Sequence, residues 1–455
     1  MTLKLGVSGV RGIVGVSLTA DLCAALSQAF ATFVGGDRVI VATDTRPSRG
    51  ELKAAVFKGL SAAGSIILDA GIIPTPTTGV LVKNLNANGA IVITASHNPS
   101  EWNGLKFIGR RGVFLNEEEA EKLFEIWRKG EFLKGDAITP RQLDGVFEAH
   151  LSAIFKNTDA IKIMNRGFKV AVDCVNGAGS KIIPHLLKDL GCQVVAINTD
   201  IDQTFPHNPE PTPENIKDLC RLVKRAKADI GFAIDPDADR LAIVSEKGEA
   251  IGEEYTLALA VEHVLRSKIK DQRSKVVVTN LSTTKAIDDI AAKYGAIVIR
   301  TKIGEINVVE EMIKQTALIG GEGNGGVIYP PITTNRDSLT AIALILEHMA
   351  DSDSPISKIL EGLPQYHIIK SKSAALSSGE DTKALLAKTR EIYKRDDVNT
   401  LDGVKVLFKD GSWIHIRASN TEPVIRIIAE AASENEARSL VSAAAKELGV
   451  RLSGI

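Results

Sequence analysis

Four short runs in this chain combine residue types that chemistry uses, and the first is built around a serine. Ser96 lies in Thr94-Ala95-Ser96-His97-Asn98-Pro99, directly after the apolar stretch Ala90–Ile93. A serine where a strand gives way to loop can present its hydroxyl outward, and Asn98-Pro99 breaks regular structure at once. His97 is adjacent, and Asn103-Gly104-Leu105-Lys106 adds a flexible step followed by an ammonium group. Serine, histidine and lysine so close together suit a nucleophile with acid/base and charge-stabilising neighbours. The same residues would also serve as a turn or capping serine beside a satisfied histidine.

The second run, Asp235-Pro236-Asp237-Ala238-Asp239-Arg240, falls between the apolar stretches Ile230–Ile234 and Leu241–Val244. Three carboxylates at alternate positions beside a strand cannot all be buried without compensating charge. A hard divalent cation such as Mg²⁺ is the natural partner, and it usually keeps phosphate or water in its remaining positions. The third run is Gly320-Gly321-Glu322-Gly323-Asn324-Gly325-Gly326. Its glycines let backbone come close to a ligand, and Glu322 and Asn324 offer acceptors and donors suited to sugar hydroxyls. It lacks the Lys-Ser/Thr ending of a nucleotide-binding loop. The fourth run, Arg417-Ala418-Ser419-Asn420-Thr421-Glu422-Pro423, with Arg426 beyond it, gathers guanidinium, hydroxyl and amide groups into an anion cradle that a phosphate monoester would fit.

Groups this far apart in sequence need a framework to bring them together. Short β-branched runs recur, each followed by a helical spacing: Arg38–Ala42, Ser65–Leu68, Ala90–Thr94, Lys169–Val172, Gln193–Ile197, Ile230–Ile234, Lys275–Thr279, Ala296–Ile299 and Ala317–Gly320. Continuous apolar strands between helices imply sheets buried on both faces, hence α/β layers with parallel or mixed sheets. No residue-level repeat is visible, although the pattern itself recurs about three times. The last part of the chain differs. Strand-like stretches Tyr366–Lys370, Val404–Phe408, Trp413–Arg417 and Val424–Ala429 lie close together, with Asp410-Gly411 marking a hairpin and Ser433 to Glu436 a capping box before a final helix. Composition places the divisions at 1–155, 156–253, 254–365 and 366–455. Each division then holds one of the four runs, which would meet in a single cleft.

The 455 residues exceed one hydrophobic core, and Lys+Arg 55 against Asp+Glu 56 leaves a net charge of −1. No global field gathers nucleic acid or an anionic membrane, so a bound phosphate must be held locally. Cys23, Cys174, Cys192 and Cys220 form no metal-spaced pair and read as structural thiols of a reducing compartment. Without a long apolar segment the chain is expected to be cytoplasmic, with no membrane partner.

At these residues the sequence resembles the α-D-phosphohexomutase superfamily, which includes phosphoglucomutase/phosphomannomutase and phosphoglucosamine mutase. The resemblance spans essentially the whole chain, in the family's order and spacing. Gly6-Val7-Ser8-Gly9-Val10-Arg11-Gly12, Asp44-Thr45-Arg46-Pro47-Ser48 and Phe205-Pro206-His207-Asn208-Pro209-Glu210-Pro211 resemble it too. It implies four domains around a central cleft: three similar α/β domains with mixed sheets, then a C-terminal α+β domain like the TATA-box-binding protein. It further implies that Ser96 works as phosphoserine, with Mg²⁺ on Asp235, Asp237, Asp239 and the Ser96 phosphate. A hexose 1,6-bisphosphate would be the intermediate. The substrate's phosphate would rest on Arg417, Ser419, Asn420, Thr421 and Arg426. Arg11, His97, Lys106 and Arg240 would surround the transferring group, with Lys106 the leading acid/base candidate. Glu322 would bind sugar hydroxyls, and Lys302-Ile303-Gly304 would help close over substrate.

The sugar loop departs from the best-known bacterial pattern, Gly-Glu-x-Ser-Gly-His, with Asn324 for the serine and Gly326 for the histidine. Thr43 stands where arginine is often found. The Gly320–Gly326 loop with Asn335-Arg336-Asp337 looks more like archaeal-type phosphoglucosamine mutases and phosphomannomutases. The expectation is therefore a phosphohexomutase, monomer or homodimer, that converts glucosamine 6-phosphate to glucosamine 1-phosphate. A mutase of broad glucose and mannose specificity is the alternative, and a Mg²⁺-dependent sugar-phosphate phosphatase a more distant one. A sugar-phosphate-binding protein without turnover fits poorly with intact Ser96, aspartates and Lys106.

Overall fold

The computed structural model describes residues 3–7, 9–268, 274–374, 379–394, 396–419 and 424–453. Four separate sheets follow one another along the chain. The first three repeat one arrangement. In the second sheet, Lys169–Asp173 is flanked by parallel Gln193–Ile197 on one side and parallel Ile230–Ile234 on the other. Leu241–Ser245 then closes the edge antiparallel to Ile230–Ile234. The third sheet places Val276–Asn280, Ile297–Thr301, Ile319–Glu322 and Gly326–Ile328 in those same four positions. The first places Arg38–Thr43, Ile66–Ile72, Gly89–Ile93 and Trp102–Gly109 there, and extends both edges with Gly9–Ile13, Lys4–Gly6 and Arg141–Gln142.

This repetition decides where function can lie. The third strand of each unit turns back into an antiparallel fourth, and the turn between them is a loop at a strand's carboxyl end. Ser96 occupies that turn in the first unit, Asp235 to Asp239 in the second and Glu322 to Gly325 in the third. Open α/β sheets bind ligands outside the carboxyl ends of their strands.

The third strands Gly89–Ile93 and Ile230–Ile234 are buried at every position, so their apolar runs are continuous rather than alternating. One continuous core joins the second and third units, from Leu151 and Val172 to Leu257, Val327 and Ile345. A second apolar cluster sets Ile40, Val92 and Ile108 of the first unit against Ile306, Val309 and Met312 of the third. Such shared cores hold the three turns in fixed relation.

The fourth sheet is antiparallel throughout, in the order Asp397–Asn399, Val404–Leu407, Trp413–Ala418, Ile425–Ala431, His367–Ser373 and Leu452–Ser453. The helix Glu434–Leu448 packs on it and opens with the capping box of Ser433 and Glu436. Its core of Val404, Ile414, Ile427 and Val441 is its own. Polar links join it to the third unit: Lys405 Nζ donates to the Leu281 carbonyl at 2.6 Å, the Lys285 N–H to Glu430 at 2.8 Å, and the Ile303 N–H to Asp402 at 2.9 Å.

Two local expectations change. Asn103-Gly104 is not a flexible step but the interior of the strand Trp102–Gly109. Gly104 stands there because a Cβ would lie 2.4 Å from the Val10 carbonyl oxygen of the neighbouring strand. The Gly-rich run likewise belongs largely to the hairpin of Ile319–Glu322 and Gly326–Ile328, and its glycines lie close against other parts of the chain. At Gly325, with φ +84°, a Cβ would meet the Leu241 carbonyl oxygen at 2.3 Å.

Candidate active site

Ser96 is buried and has φ +50°, the left-handed region that a serine enters only when its surroundings hold it there. Those surroundings are a buried ion pair. Asp44 accepts from Thr94 Oγ1 at 2.6 Å and from Arg46 Nε at 3.0 Å, and Thr94 Oγ1 in turn accepts the Ser96 N–H at 2.9 Å. Arg46 donates to the carbonyls of Ser96 at 2.6 Å, Asn98 at 2.7 Å and Trp102 at 2.8 Å, and so fastens the whole turn.

Held this way, the Ser96 hydroxyl donates to Asp235 Oδ2 at 2.8 Å, a contact across 139 residues of sequence. Asp235, Asp237 and Asp239 are all buried, with an oxygen from each lying within 4.8 Å of the others. Burial, together with Asp239 and Asp237, pushes the Asp235 carboxyl well above its ordinary pKa. For Asp239 burial also opposes the charge, but Arg336, Lys106 and Arg240 outweigh it and hold the group below its ordinary range. Asp235 Oδ1 accepts the N–H groups of Asp239 and Arg240 at 3.0 and 3.1 Å. Asp237 Oδ2 accepts from Thr75 Oγ1 at 2.5 Å and from Lys106 Nζ at 2.6 Å. Among the described residues Asp237 Oδ1 and Asp239 Oδ1 are buried without a hydrogen-bond partner. Buried oxygens left over in an all-carboxylate cluster fit a hard divalent cation.

The expected cationic and acid/base side chains do converge here. Lys106 Nζ also reaches Asp239 Oδ2 at 3.3 Å, and although burial pushes its pKa down, the two aspartates raise it above its ordinary value. His97 Nδ1 lies 3.4 Å from Ser96 Oγ; burial, with Arg240 and Arg11 nearby, keeps the ring neutral. Arg11 donates to Asn98 Oδ1 at 3.3 Å, and Arg240 to Glu210 at 3.4 Å.

Glu322 in the third turn accepts from Asn280 at 2.9 Å and from the Gly304 N–H at 3.1 Å on one oxygen, and from Arg336 at 2.6 Å on the other. Asn324 Nδ2 sits 3.5 Å from Glu322 Oε2, while its Oδ1 is buried without a partner among the described residues. Lys302 is exposed. In the fourth unit Arg417 and Arg426 are directly opposed on adjacent strands, an unfavourable pairing of like charges unless an anion lies with them. Burial lowers the pKa of Arg417, which also feels Arg426 and, from the sugar loop, Glu322. Its Nη1 donates to the Ala418 carbonyl at 2.8 Å, and its Nε is buried without a partner among the described residues. Ser419 follows in the same loop; Asn420 and Thr421 lie outside the described residues.

Sequence reasoning assigned no role to Thr75, Arg46, Glu305 or Arg336. Arg336 was visible only as part of Asn335-Arg336-Asp337, yet it bonds Asp239 and Glu322 at once.

Comparison with known proteins agrees with this arrangement. Sequence models of phosphoglucomutase/phosphomannomutase match the chain as alpha/beta/alpha domain I at residues 2–134, domain II at 148–248, domain III at 252–366 and the C-terminal domain at 374–447. The chain belongs to the phosphoglucomutase/phosphomannomutase family. It is 38% identical to the phosphoglucomutase/phosphomannomutase of Thermococcus kodakarensis, over 98% of this chain and 97% of the relative. It is 33% identical to the phosphoglucosamine/phosphogalactosamine mutase of Sulfurisphaera tokodaii, over 96% and 97%. Among solved structures, a phosphoglucomutase/phosphomannomutase family protein of Burkholderia thailandensis superposes with a TM-score of 0.85 at 29% identity, covering 98% of this chain and 99% of that one. The family's members are isomerases that relocate a phosphoryl group, and this phosphohexomutase carries their four domains in order. Among the described residues no helix is long and apolar enough to cross a membrane.

Proposed function

We propose that this phosphohexomutase interconverts hexose 6-phosphate and hexose 1-phosphate through phospho-Ser96, with glucosamine phosphate as the preferred sugar. The observation that carries the reading is the meeting of Ser96 Oγ with Asp235 at 2.8 Å, a nucleophile from one domain set into the acidic cluster of the next. Asp235, Asp237, Asp239 and the Ser96 phosphate would hold Mg²⁺, which, when bound, neutralises charge on the transferring phosphoryl group.

The bond from Ser96 Oγ to phosphorus breaks as the free sugar hydroxyl forms its own bond to that phosphorus, and the proton this hydroxyl loses ends on Ser96 Oγ, which regains its O–H. The product is a hexose 1,6-bisphosphate. After it turns over in the cleft, its other phosphate returns to Ser96. Lys106 and Arg11 flank the site as cations, and neutral His97 can exchange a hydrogen bond with the serine oxygen. Arg417 and Arg426, with Ser419, Asn420 and Thr421, would clamp the phosphate that is not being transferred. Arg417→Ala should raise KM at least about tenfold with a much smaller change in kcat, because it removes a contact made throughout the cycle. An unchanged KM in steady-state assays would remove Arg417 from the clamp.

The preference for an amino sugar draws on the acceptors of the third turn. Asn324 Oδ1, which has no hydrogen-bond partner among the described residues and lies beside the Glu322 carboxylate, suits a donor with positive charge, as a 2-ammonium group is. The Thermococcus relative's name keeps glucose and mannose phosphates as the alternative. Parallel assays on glucosamine 6-phosphate, glucose 1-phosphate and mannose 1-phosphate, with MgCl₂ and catalytic glucose 1,6-bisphosphate, decide between them. The expected result is a kcat/KM for glucosamine phosphate about tenfold or more above the others, the scale of one lost charge-assisted contact. Equal or higher values for glucose and mannose would overturn the amino-sugar preference, and phosphate release without isomer would overturn the mutase reading.

A further inference from the structure

Arg336 joins the Asp235–Asp239 turn to the turn that carries Glu322. Its buried guanidinium donates through Nη2 to Asp239 Oδ2 at 2.7 Å and through Nη1 to Glu322 Oε2 at 2.6 Å, and its Nε lies 3.1 Å from Glu305 Oε2. Its own N–H donates to Glu305 Oε1 at 2.8 Å, so the backbone of Arg336 is fixed by the same carboxylate that its Nε faces. The chain is anchored on the far side as well: the Asp337 N–H donates to the Val327 carbonyl at 2.9 Å, and Asp337 caps the helix Ser338–Ser352.

The path of this side chain depends on an empty position. A Cβ on Gly326 would lie 2.2 Å from Arg336 Cδ and 2.9 Å from Cγ, so the arginine's stem occupies the volume that any side chain at 326 would need. Only a planar fork reaches two carboxylates in different directions with separate nitrogens; a lysine ammonium offers a point charge. While Arg336 takes one oxygen of Asp239, the other, Oδ1, has no hydrogen-bond partner among the described residues and only Arg240 Nε near it, at 3.8 Å.

We propose that Arg336 is a positioning residue that links the cation loop to the sugar loop, so that binding at either site strengthens binding at the other. The inference rests on the reading of these loops given under Proposed function. Linkage requires the effect to be mutual and of equal size in both directions.

Titration calorimetry of MgCl₂ into the intact protein, with and without glucosamine 6-phosphate, tests it. In the natural protein the sugar phosphate should tighten Mg²⁺ binding by about fivefold or more, the lower range of ordinary coupling between sites. In Arg336→Met the tightening should fall below about twofold, with kcat also reduced, and Arg336→Lys should not restore it. Gly326→Ala should show the same loss by displacing the arginine's stem, and should add little in the Arg336→Met background. Full coupling in Arg336→Met or Arg336→Lys would overturn the proposal, as would its absence in the natural protein. Where thermal unfolding shows that Arg336→Met does not fold, Gly326→Ala decides by the same criterion. Failure of the mutase reading is seen separately, as a natural protein that forms no isomer.

Discussion

Ser96→Ala is expected to lower kcat by about 10⁵-fold or more, the scale seen when a covalent catalyst loses its nucleophile. The expectation follows from how much of the chain serves this one oxygen. Asp44, Thr94 and Arg46 hold the turn in a conformation that costs energy, and the turn aims the hydroxyl at Asp235. Thr75 Oγ1 also bonds the acidic cluster, but to Asp237 at 2.5 Å and not to Asp235. The fold should tolerate the change. One hydrogen bond to a carboxylate is lost, about 1 to 3 kcal/mol, within three units whose cores are made elsewhere. Thermal unfolding should therefore show a cooperative transition close to that of the natural protein, while a coupled assay shows no isomer. Intact-protein mass spectrometry should find phosphate on the natural chain after incubation with glucose 1,6-bisphosphate and none on the variant. Activity of the natural order in Ser96→Ala would end the phosphoserine mechanism, whatever the family resemblance.

The parts of this site that were legible in the sequence share one property. Ser96 and the three aspartates each lie just beyond an apolar run buried at every position, and Glu322 lies among glycines, so each polar residue stands out from its neighbours. The same contrast gave the α/β framework and the strand edges to within a few residues. Arg417 and Arg426 were legible from residue type alone, since two guanidiniums near a hydroxyl-rich loop call for an anion.

What escaped has equally physical reasons. Arg46 acts on backbone carbonyls some fifty residues away, and a carbonyl carries no signature of its partner. Thr75 reaches Asp237, and Arg336 reaches Asp239, only because separate units pack together through apolar surfaces. The strand Trp102–Gly109 was hidden by Asn103-Gly104, a pair that usually marks a turn. Gly104 is demanded by the approach of the Val10 carbonyl, which is a tertiary fact. Asn103 is spent on bonds to Ser48 Oγ and the Gly104 N–H.

Lys106→Met should affect both chemistry and stability, and the two effects should respond differently to Mg²⁺. The residue lies on that unforeseen strand, buried, with its ammonium 2.6 Å from Asp237 and 3.3 Å from Asp239. Burial works against its charge, but the two aspartates outweigh burial and raise its pKa above the ordinary value. It is thus poised to stabilise negative charge on a transferring group and to donate a proton. Methionine retains much of the stem's packing and removes the charge, so kcat should fall by about 10³-fold, within the usual range for a positioned acid/base group. The same substitution leaves buried Asp237 without its cation, while Asp239 keeps Arg336, a loss of about 3 to 5 kcal/mol when one partner of such a pair is removed. A divalent cation bound to Asp237 Oδ1 and Asp239 Oδ1, which have no hydrogen-bond partner among the described residues, supplies compensating charge to the folded state only, and so restores part of that loss by mass action. Unfolding in EDTA should therefore show a larger deficit for Lys106→Met than unfolding in millimolar MgCl₂. Equal deficits in the two conditions would argue that the acidic turn holds no cation, and a natural kcat would leave Lys106 with a structural role alone.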